Sequence, residues 1–251
     1  MPRVRAFTVV LATLVMAGLT ACAPSPKTTY TDESGREITV DWADYPGAPG
    51  LEPDEVLGSR PYEDVAPASE ALLADARAAL GGDLGWTASG EDFWYEHDGN
   101  GYGGRSWYRT FNSVTWVADS APEDWNEAVR LVSEVTTAHG LGPLQLDHEV
   151  IDDPDYADAL REEYGTENPD EYWFWAASAS RNAEWFFLSF VDVDRAATAE
   201  LERKALESNS SPRSVTLGYG ATSVPPDELR AFTDALEPFE GLERPAPTTS
   251  D

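Results

Sequence analysis

Cys22 is the only cysteine in this chain of 251 residues, so no disulfide can form within one molecule. The fold must therefore be held together by side-chain packing and hydrogen bonds. The composition supplies enough apolar material, because 41% of the residues are hydrophobic and nine are tryptophans. Once an N-terminal leader and both tails are set aside, roughly 180 residues remain, which is the size of one domain.

The residues before Cys22 have the pattern of an export signal. Two arginines make its start basic, and residues 6–19 form an apolar run that is shorter than a typical membrane-spanning helix. The stretch Leu19-Thr20-Ala21-Cys22 resembles the lipobox of bacterial lipoproteins, in which the cysteine receives a diacylglyceryl group and becomes the new N-terminus. The resemblance implies a signal peptide over residues 1–21 and a lipid anchor on the extracytoplasmic face of the cell membrane. An ordinary signal peptide with an unrelated cysteine is the alternative.

Charge limits the classes of partner. The formal net charge is −29, and it becomes −31 when the two arginines of the leader are removed. Such a field repels nucleic acid and anionic lipid, so we expect no nucleic-acid partner. Membrane attachment must then come from the acyl chains on Cys22.

Composition divides the chain into four parts. After the signal peptide, residues 22–59 are interpreted as a lipid-anchored flexible tether, because they are rich in Pro, Gly, Thr and acids. Within them, the alternation in Ile38-Thr39-Val40-Asp41-Trp42 could add an edge strand to the domain. Residues 60–240 are the predicted globular domain, and residues 241–251 are predicted to be a disordered tail.

Helical and extended patterns alternate through the domain. The predicted helices cover about residues 67–80, 121–139, 154–164, 196–207 and 229–236. The predicted strands cover residues 84–88, 93–95, 106–117, 144–150, 172–178, 185–191 and 215–219, with a hairpin turn at Arg181-Asn182. Ser120 and Glu123 have the spacing of a capping box for the second helix. Because neighbouring strands lie too close in sequence for parallel crossovers throughout, we predict a single α+β domain with helices packed on a mostly antiparallel sheet.

Several short motifs in the first part of the chain occur together in a known family. Arg60-Pro61-Tyr62-Glu63, Leu84-Gly85-Trp86 and His139-Gly140-Leu141, with the leader and a Gly-rich loop, resemble the LppA-like lipoproteins of mycobacteria and related actinobacteria. The resemblance covers roughly residues 1–150. It implies a surface lipoprotein of undefined biochemical role and supplies no catalytic residues. The two cysteines of that family, in the Gly-rich loop and near the C-terminus, are absent here.

The residues that could carry catalysis all have structural explanations. His139 suits the negative end of a helix, and His148 is predicted to be a hydrogen-bonded core side chain on a strand. The histidines lack zinc-ligand spacing, although a metal site joining His97 and His148 is an alternative. The loop that begins Asp98-Gly99-Asn100-Gly101 fails as a calcium loop because Arg109 stands where the closing acid belongs. We therefore predict no catalytic residue, no metal and no cofactor.

The aromatic residues around the Gly-rich loop form the candidate binding site. Tyr102 lies between glycines and is the aromatic side chain expected to be least buried. Arg105 and Arg109 are unusual cations in so acidic a chain and could steer an anionic envelope polymer. We therefore predict ligand binding at Tyr102, Arg105, Trp107 and Arg109. The alternative is that Tyr102 folds back on Trp94 or Trp107 and only holds the loop.

The sequence thus predicts a lipid-anchored extracytoplasmic protein that binds or scaffolds an envelope polymer or protein. An envelope enzyme such as a cell-wall hydrolase is one alternative, and it would show a deep pocket with convergent carboxylates or histidines. A small-ligand carrier is another, and it would show a closed apolar cavity under the sheet.

Overall fold

The structure is a computed structural model that describes residues 24–31, 34–150, 154–208 and 211–248. The predicted signal peptide and Cys22 lie outside these residues. The strands are β1 (Lys27–Thr31), β2 (Glu37–Asp41), β3 (Thr87–Ser89), β4 (Phe93–Glu96), β5 (Arg109–Asn112), β6 (Thr115–Ala118), β7 (Gln145–Leu146), β8 (Phe174–Arg181), β9 (Glu184–Asp192) and β10 (Arg213–Ser223). The helices are α1 (Pro53–Leu57), α2 (Tyr62–Leu80), α3 (Trp125–Ala138), α4 (Asp147–Val150), α5 (Pro154–Tyr164), α6 (Ala199–Ser208) and α7 (Leu229–Leu236).

Eight strands form one antiparallel sheet, which confirms the predicted α+β class. The strand order is β3-β6-β10-β9-β8-β7, and β5 pairs with the second half of β10 and with β4. The long strand β10 is therefore central, with β9 along one side and β5 and β6 sharing the other. The predicted hairpin between β8 and β9 is also confirmed, and Asn182 turns it with a left-handed φ of 56°.

One face of the sheet carries the main core. Helices α2 and α3 cover this face. Each has an apolar stripe, which is removed from water when it packs against the sheet. Complete burial of each large side chain stabilises the fold by about 1.5–3 kcal/mol. The buried residues of this layer include Leu72, Leu73, Val132, Trp175, Phe186, Leu188, Phe190, Val215, Leu217 and Tyr219.

The strand predicted over residues 106–117 is broken into β5 and β6. At the break, the Ser113 amide donates to the Tyr219 carbonyl, while the Ser113 hydroxyl accepts from the Tyr219 amide, both at 2.9 Å. The serine side chain thus replaces one backbone acceptor of the ladder. The prediction of one continuous strand is wrong for this reason.

Two other local predictions are also corrected. Helix α3 begins at Trp125, and its N-cap is Asp124, whose carboxylate accepts from the Glu127 amide at 2.9 Å. The capping box of Ser120 and Glu123 is therefore wrong, because the chain is not yet helical there. Strand β7 is only two residues long, so His148 lies on the short helix α4 rather than on a strand.

The segment interpreted as a flexible tether, residues 22–59, is folded wherever the structure describes it. Strands β1 and β2 pair with each other in a separate two-stranded sheet, so the predicted edge strand exists but does not join the main sheet. Trp42 is only 1% exposed, and its indole Nε1 donates to the Thr28 hydroxyl at 2.9 Å. Apolar side chains scattered among the prolines find partners in the domain, so the prediction is wrong here.

The predicted disordered tail, residues 241–251, also packs on the domain as far as residue 248. The Tyr102 hydroxyl donates to the Pro245 carbonyl at 2.8 Å, and the Thr248 amide donates to the Gly101 carbonyl at 2.8 Å. The folded body therefore extends beyond the predicted limits of 60–240 at both ends.

Candidate binding surfaces

Tyr102 is not exposed, which corrects the main element of the predicted site. The side chain is 1% exposed, and its ring centroid lies 5.5 Å from that of Trp42 and 6.3 Å from that of Tyr45. Burial raises the pKa of its hydroxyl. The ring does fold back, but onto these residues of the N-terminal segment instead of Trp94 or Trp107.

Asn100 explains why the Gly-rich loop holds Tyr102 in this position. Its amide nitrogen donates to the carbonyls of Trp42, Ala43 and Tyr45 at 3.0, 3.0 and 2.7 Å. Its side-chain oxygen accepts from the amides of Tyr102 and Gly104, both at 2.9 Å. One buried side chain thus fixes both the loop and the segment that covers it, in an arrangement that composition alone does not reveal.

The two arginines of the predicted site are already paired with acids. Arg109 Nη2 lies 3.1 Å from Glu96 Oε1 and 3.7 Å from Glu228 Oε1, and its side chain is largely buried. Arg105 is exposed and lies 3.4 Å from Glu96 Oε2. Because carboxylates compensate both cations, this surface gives no positive field to steer an anionic polymer.

Arg105 and Trp107 do share a small depression at the surface. Its volume is about 270 Å³, and Asp227, Glu228 and Ala231 complete its lining. Arg109 lies next to it through its contact with Glu228. The structure therefore brings three of the predicted residues together and places Tyr102 in a different environment.

The three histidines have separate surroundings. His97 Nε2 is 2.8 Å from the Thr110 hydroxyl, and burial lowers the pKa of the ring. His139 Nε2 is 2.8 Å from Asp75 Oδ2, and His148 packs against Tyr172 and Trp175. Within the described ranges, no group of three or more His, Cys, Asp or Glu side chains is arranged to hold a metal ion.

Glu184, one of two buried acids among the described residues, is engaged by hydrogen bonds. The residue is 8% exposed, and its carboxylate accepts from the Tyr219 hydroxyl at 2.7 Å and from the Arg60 amide at 2.8 Å. Arg60 Nε lies 3.3 Å from Glu184 Oε2, and Arg60 Nη2 donates to the His139 carbonyl at 3.3 Å. Burial, with help from Glu184, raises the pKa of Tyr219. This network joins the start of α2 to β9 and β10.

The second face of the sheet is covered at both ends. At one end α1, residues 42–51 and Phe232 of α7 pack over Tyr108 and Val224, and the hydroxyls of Thr110 and Thr222 are buried there. At the other end Val191 of β9 and Ser214 of β10 are buried. Between the two ends, Phe187, Ser178 and Ser180 are exposed to solvent.

A row of side chains crosses this open part of the sheet. Phe93 pairs with Asn112, Asn112 with Gly220, Gly220 with Trp185, and Trp185 with Ser180, on five successive strands. Directly paired residues of an antiparallel sheet point to the same side, so all five share this face. Phe187 lies two residues further along β9, opposite Gly218.

Two glycines allow the aromatic rings of β9 to lie flat on the sheet. A Cβ atom on Gly220 would be 2.1 Å from Cζ2 of Trp185, and one on Gly218 would be 2.6 Å from the ring of Phe187. The rings therefore cover the glycines, and Phe187 remains 37% exposed. Flat aromatic rings with one free side are the usual means of stacking on a ligand.

Polar and further aromatic groups lie beside these rings. Asn112 is half-buried, and its side-chain amide has no hydrogen-bond partner among the described residues. Phe93 and Tyr95 are 52% and 44% exposed at the edge of the sheet, and Ser178 and Ser180 are exposed at the other side. We call this surface the aromatic face; it consists of Phe93, Tyr95, Asn112, Ser178, Ser180, Trp185 and Phe187.

The sequence alone does not indicate the aromatic face. The run around Trp185 and Phe187 is almost continuously apolar, which is typical of a strand buried on both sides. The signal that could have indicated it is the alternation Gly218-Tyr219-Gly220 in the partner strand. Glycines at every second position leave room for large rings from the neighbouring strand.

Another depression, with a volume of about 500 Å³, is lined by Trp42, Tyr45 and Arg244 among others. It lies at the surface between α1, α7 and the C-terminal segment, away from the sheet.

No described helix is long and apolar enough to cross a bilayer. Comparison of the chain with protein-family models, with curated proteins and with solved structures found no match.

Proposed function

We propose that this chain is a lipid-anchored extracytoplasmic protein of the cell envelope that binds a carbohydrate polymer on its aromatic face, without catalysis. The leader and Cys22 support the location, since they have the pattern of a lipoprotein signal. The flat rings of Trp185 and Phe187 over Gly220 and Gly218 support the type of ligand.

Sugar rings suit this surface for two physical reasons. The C–H side of a pyranose is apolar and stacks on a flat aromatic ring, while its hydroxyls need hydrogen-bonding groups beside the ring. Asn112 and the two serines provide such groups between and beside the aromatic residues. The strongly acidic chain favours a neutral polymer over an anionic one.

The dimensions also suit a polymer. Phe93 and Trp185 lie three strand spacings apart in one row, about 14 Å for neighbours separated by 4.7–4.9 Å. That span is larger than a single sugar ring. A polymer that crosses the strands would contact Phe93, Asn112 and Trp185 in succession.

Two features favour a binding module over an envelope hydrolase. Glycoside hydrolysis needs two free carboxyl groups facing each other across a cleft, whereas the buried Glu184 is bonded to three donors. The histidines occupy three different environments. The depression between α1 and α7 is lined by the acids Glu52, Asp54 and Glu240, but Glu52 is paired with Arg244 at 2.9 Å, and no histidine is among the lining residues.

Binding can be tested by electrophoresis of the purified protein in gels that contain isolated cell-wall polysaccharide or a neutral soluble glucan. We expect Phe187→Ala to weaken retention at least tenfold, because a central stacking residue is removed. Its melting temperature should change little, because the ring is partly exposed. Leu206→Ala is the matched control, since Leu206 is 45% exposed on α6 and is not a residue of the aromatic face. Equal retention of the two variants, or no retention of the wild type, would contradict the proposal.

The anchor has a separate test. Cys22→Ser should release the protein from the membrane fraction and abolish incorporation of labelled fatty acid, because the thiol is the attachment point. Membrane retention of the variant, with no lipid on the wild-type N-terminal peptide, would refute the lipid anchor and leave the carbohydrate proposal intact.

A further inference from the structure

The C-terminal segment Glu243-Arg244-Pro245-Ala246-Pro247 occupies a groove made by aromatic residues. Arg244 Nη2 donates to the Tyr45 hydroxyl at 2.6 Å and to Glu52 Oε2 at 2.9 Å, and its guanidinium carbon lies 4.9 Å from the Tyr45 ring centroid. The next residue, Pro245, accepts a hydrogen bond from the Tyr102 hydroxyl.

The prolines of this segment make the groove resemble a peptide-recognition site. A Cβ atom on Gly101 would lie 3.3 Å from Pro247 Cβ, so the second proline rests against the loop. Residues 242–247 belong to no helix or strand. Proline fixes φ near −65° and favours the extended polyproline conformation, which costs little entropy to bind. Grooves lined by aromatic rings are a recurring means of binding such peptides.

Open space lies beside the arginine of this segment. A depression of about 500 Å³, of which Gly241, Leu242 and Arg244 form one wall, extends over apolar side chains and two further acids. Its lining includes Trp42, Pro53, Leu57, Leu236, Phe239, Asp54 and Glu240. A longer or bulkier peptide could therefore keep the arginine contacts and bury additional apolar surface.

We propose that this groove binds a proline-rich peptide with a basic residue, and that residues 243–247 occupy it in competition with a partner protein that carries such a sequence. The acidic lining and the acidic chain as a whole favour a basic peptide. The proposal is independent of the carbohydrate surface, because no residue of the aromatic face contributes to the groove.

Competition within one molecule has a measurable consequence. A segment attached by a short linker competes at an effective concentration in the millimolar range. A free peptide with the same sequence should therefore bind weakly to the wild-type chain. It should bind more tightly once the contacts of the attached segment are removed.

The experiment uses a fluorescent synthetic peptide of residues 243–251 and the full chain without its leader. We expect the Arg244→Ala chain to bind this peptide at least tenfold more tightly than the wild type does. A peptide in which the residue corresponding to Arg244 is alanine should bind the Arg244→Ala chain without this tenfold increase in affinity. The unchanged peptide should likewise bind weakly to a chain that combines Arg244→Ala with Glu52→Gln. Glu52 is a suitable target because its side chain is 65% exposed and contributes little to folding. Equal binding by wild type and Arg244→Ala, or no binding by either, would overturn the proposal.

A second measurement needs no substitution in the protein. The Thr248 amide is bonded to the Gly101 carbonyl while the segment is in place. Several millimolar peptide should displace the segment and speed up hydrogen exchange at this amide in the wild-type chain. Unchanged exchange at Thr248 in the presence of the peptide would overturn the proposal even if Arg244→Ala failed to fold.

Discussion

The Gly-rich loop and the strand β9 carry large aromatic residues in opposite environments. Tyr102 lies in a loop of glycines, where an exposed ring is expected, but two chain segments cover it completely. Trp185 and Phe187 lie in an apolar strand, where burial is expected, but Trp185 is only half-buried and Phe187 is 37% exposed. Exposure of an aromatic side chain is thus decided by distant segments and not by its own neighbours in sequence.

The largest effect should come from removing the centre of the buried cluster. Trp42 contacts Tyr45, Tyr102 and Phe239, so Trp42→Ala should destabilise the protein by about 3–5 kcal/mol, as for other buried tryptophans. Phe93→Ala removes a ring that is 52% exposed and should cost about 1 kcal/mol or less. Urea unfolding of both variants measures the difference. Similar losses would mean that the N-terminal segment is not part of the core.

A smaller effect should come from adding one methyl group under the aromatic face. Gly220→Ala places a Cβ atom where the Trp185 ring lies, so the ring must tilt away, at a cost of about 1–3 kcal/mol. The intrinsic fluorescence should change, and carbohydrate retention should fall. Gly82→Ala is the control, because its Cβ would meet nothing within 4 Å. If the two variants behaved alike, the Trp185 ring would not lie flat on the sheet.

The smallest effect concerns pH at the edge of the buried region. Burial is the main cause that lowers the pKa of His97, and nearby Arg109 adds to it. The unfolded chain, with a pKa near 6.5, therefore takes up the proton first, and stability should fall as the pH drops below that value. His97→Asn should reduce this dependence between pH 7.5 and 5.5 in urea unfolding. His148 must be tested in parallel, because burial lowers its pKa as well.

Much of the fold could be predicted from the sequence, because local signals decide it. The β8–β9 hairpin has a turn residue between two apolar runs, and α3 has a clear apolar stripe ended by Gly140. The predicted cap of α3 is wrong because several acids near its start could serve as caps. The predicted end of β7 is wrong because a strand of two residues has almost no periodicity. The α+β class did not depend on these details.

The candidate surfaces could not be predicted, because long-range contacts make them. Asn100 binds carbonyls nearly sixty residues earlier in the chain, and Tyr102 binds one that is 143 residues later. The aromatic face is open because distant segments cover only the two ends of this side of the sheet, where Thr222 and Val191 are buried. No sequence pattern indicates these long-range hydrogen bonds or the extent to which the sheet is covered.

The early start of the folded body changes how far an anchored molecule can act. Strand β1 begins at Lys27, five residues after Cys22, and a fully extended chain of that length spans at most about 18 Å. A tether over residues 22–59 could instead reach more than about 100 Å when fully extended. If Cys22 carries the lipid, the domain samples only a thin layer above the bilayer. Its ligands would then be met at high local concentration close to the membrane, and polymers further out would be beyond its radius of action.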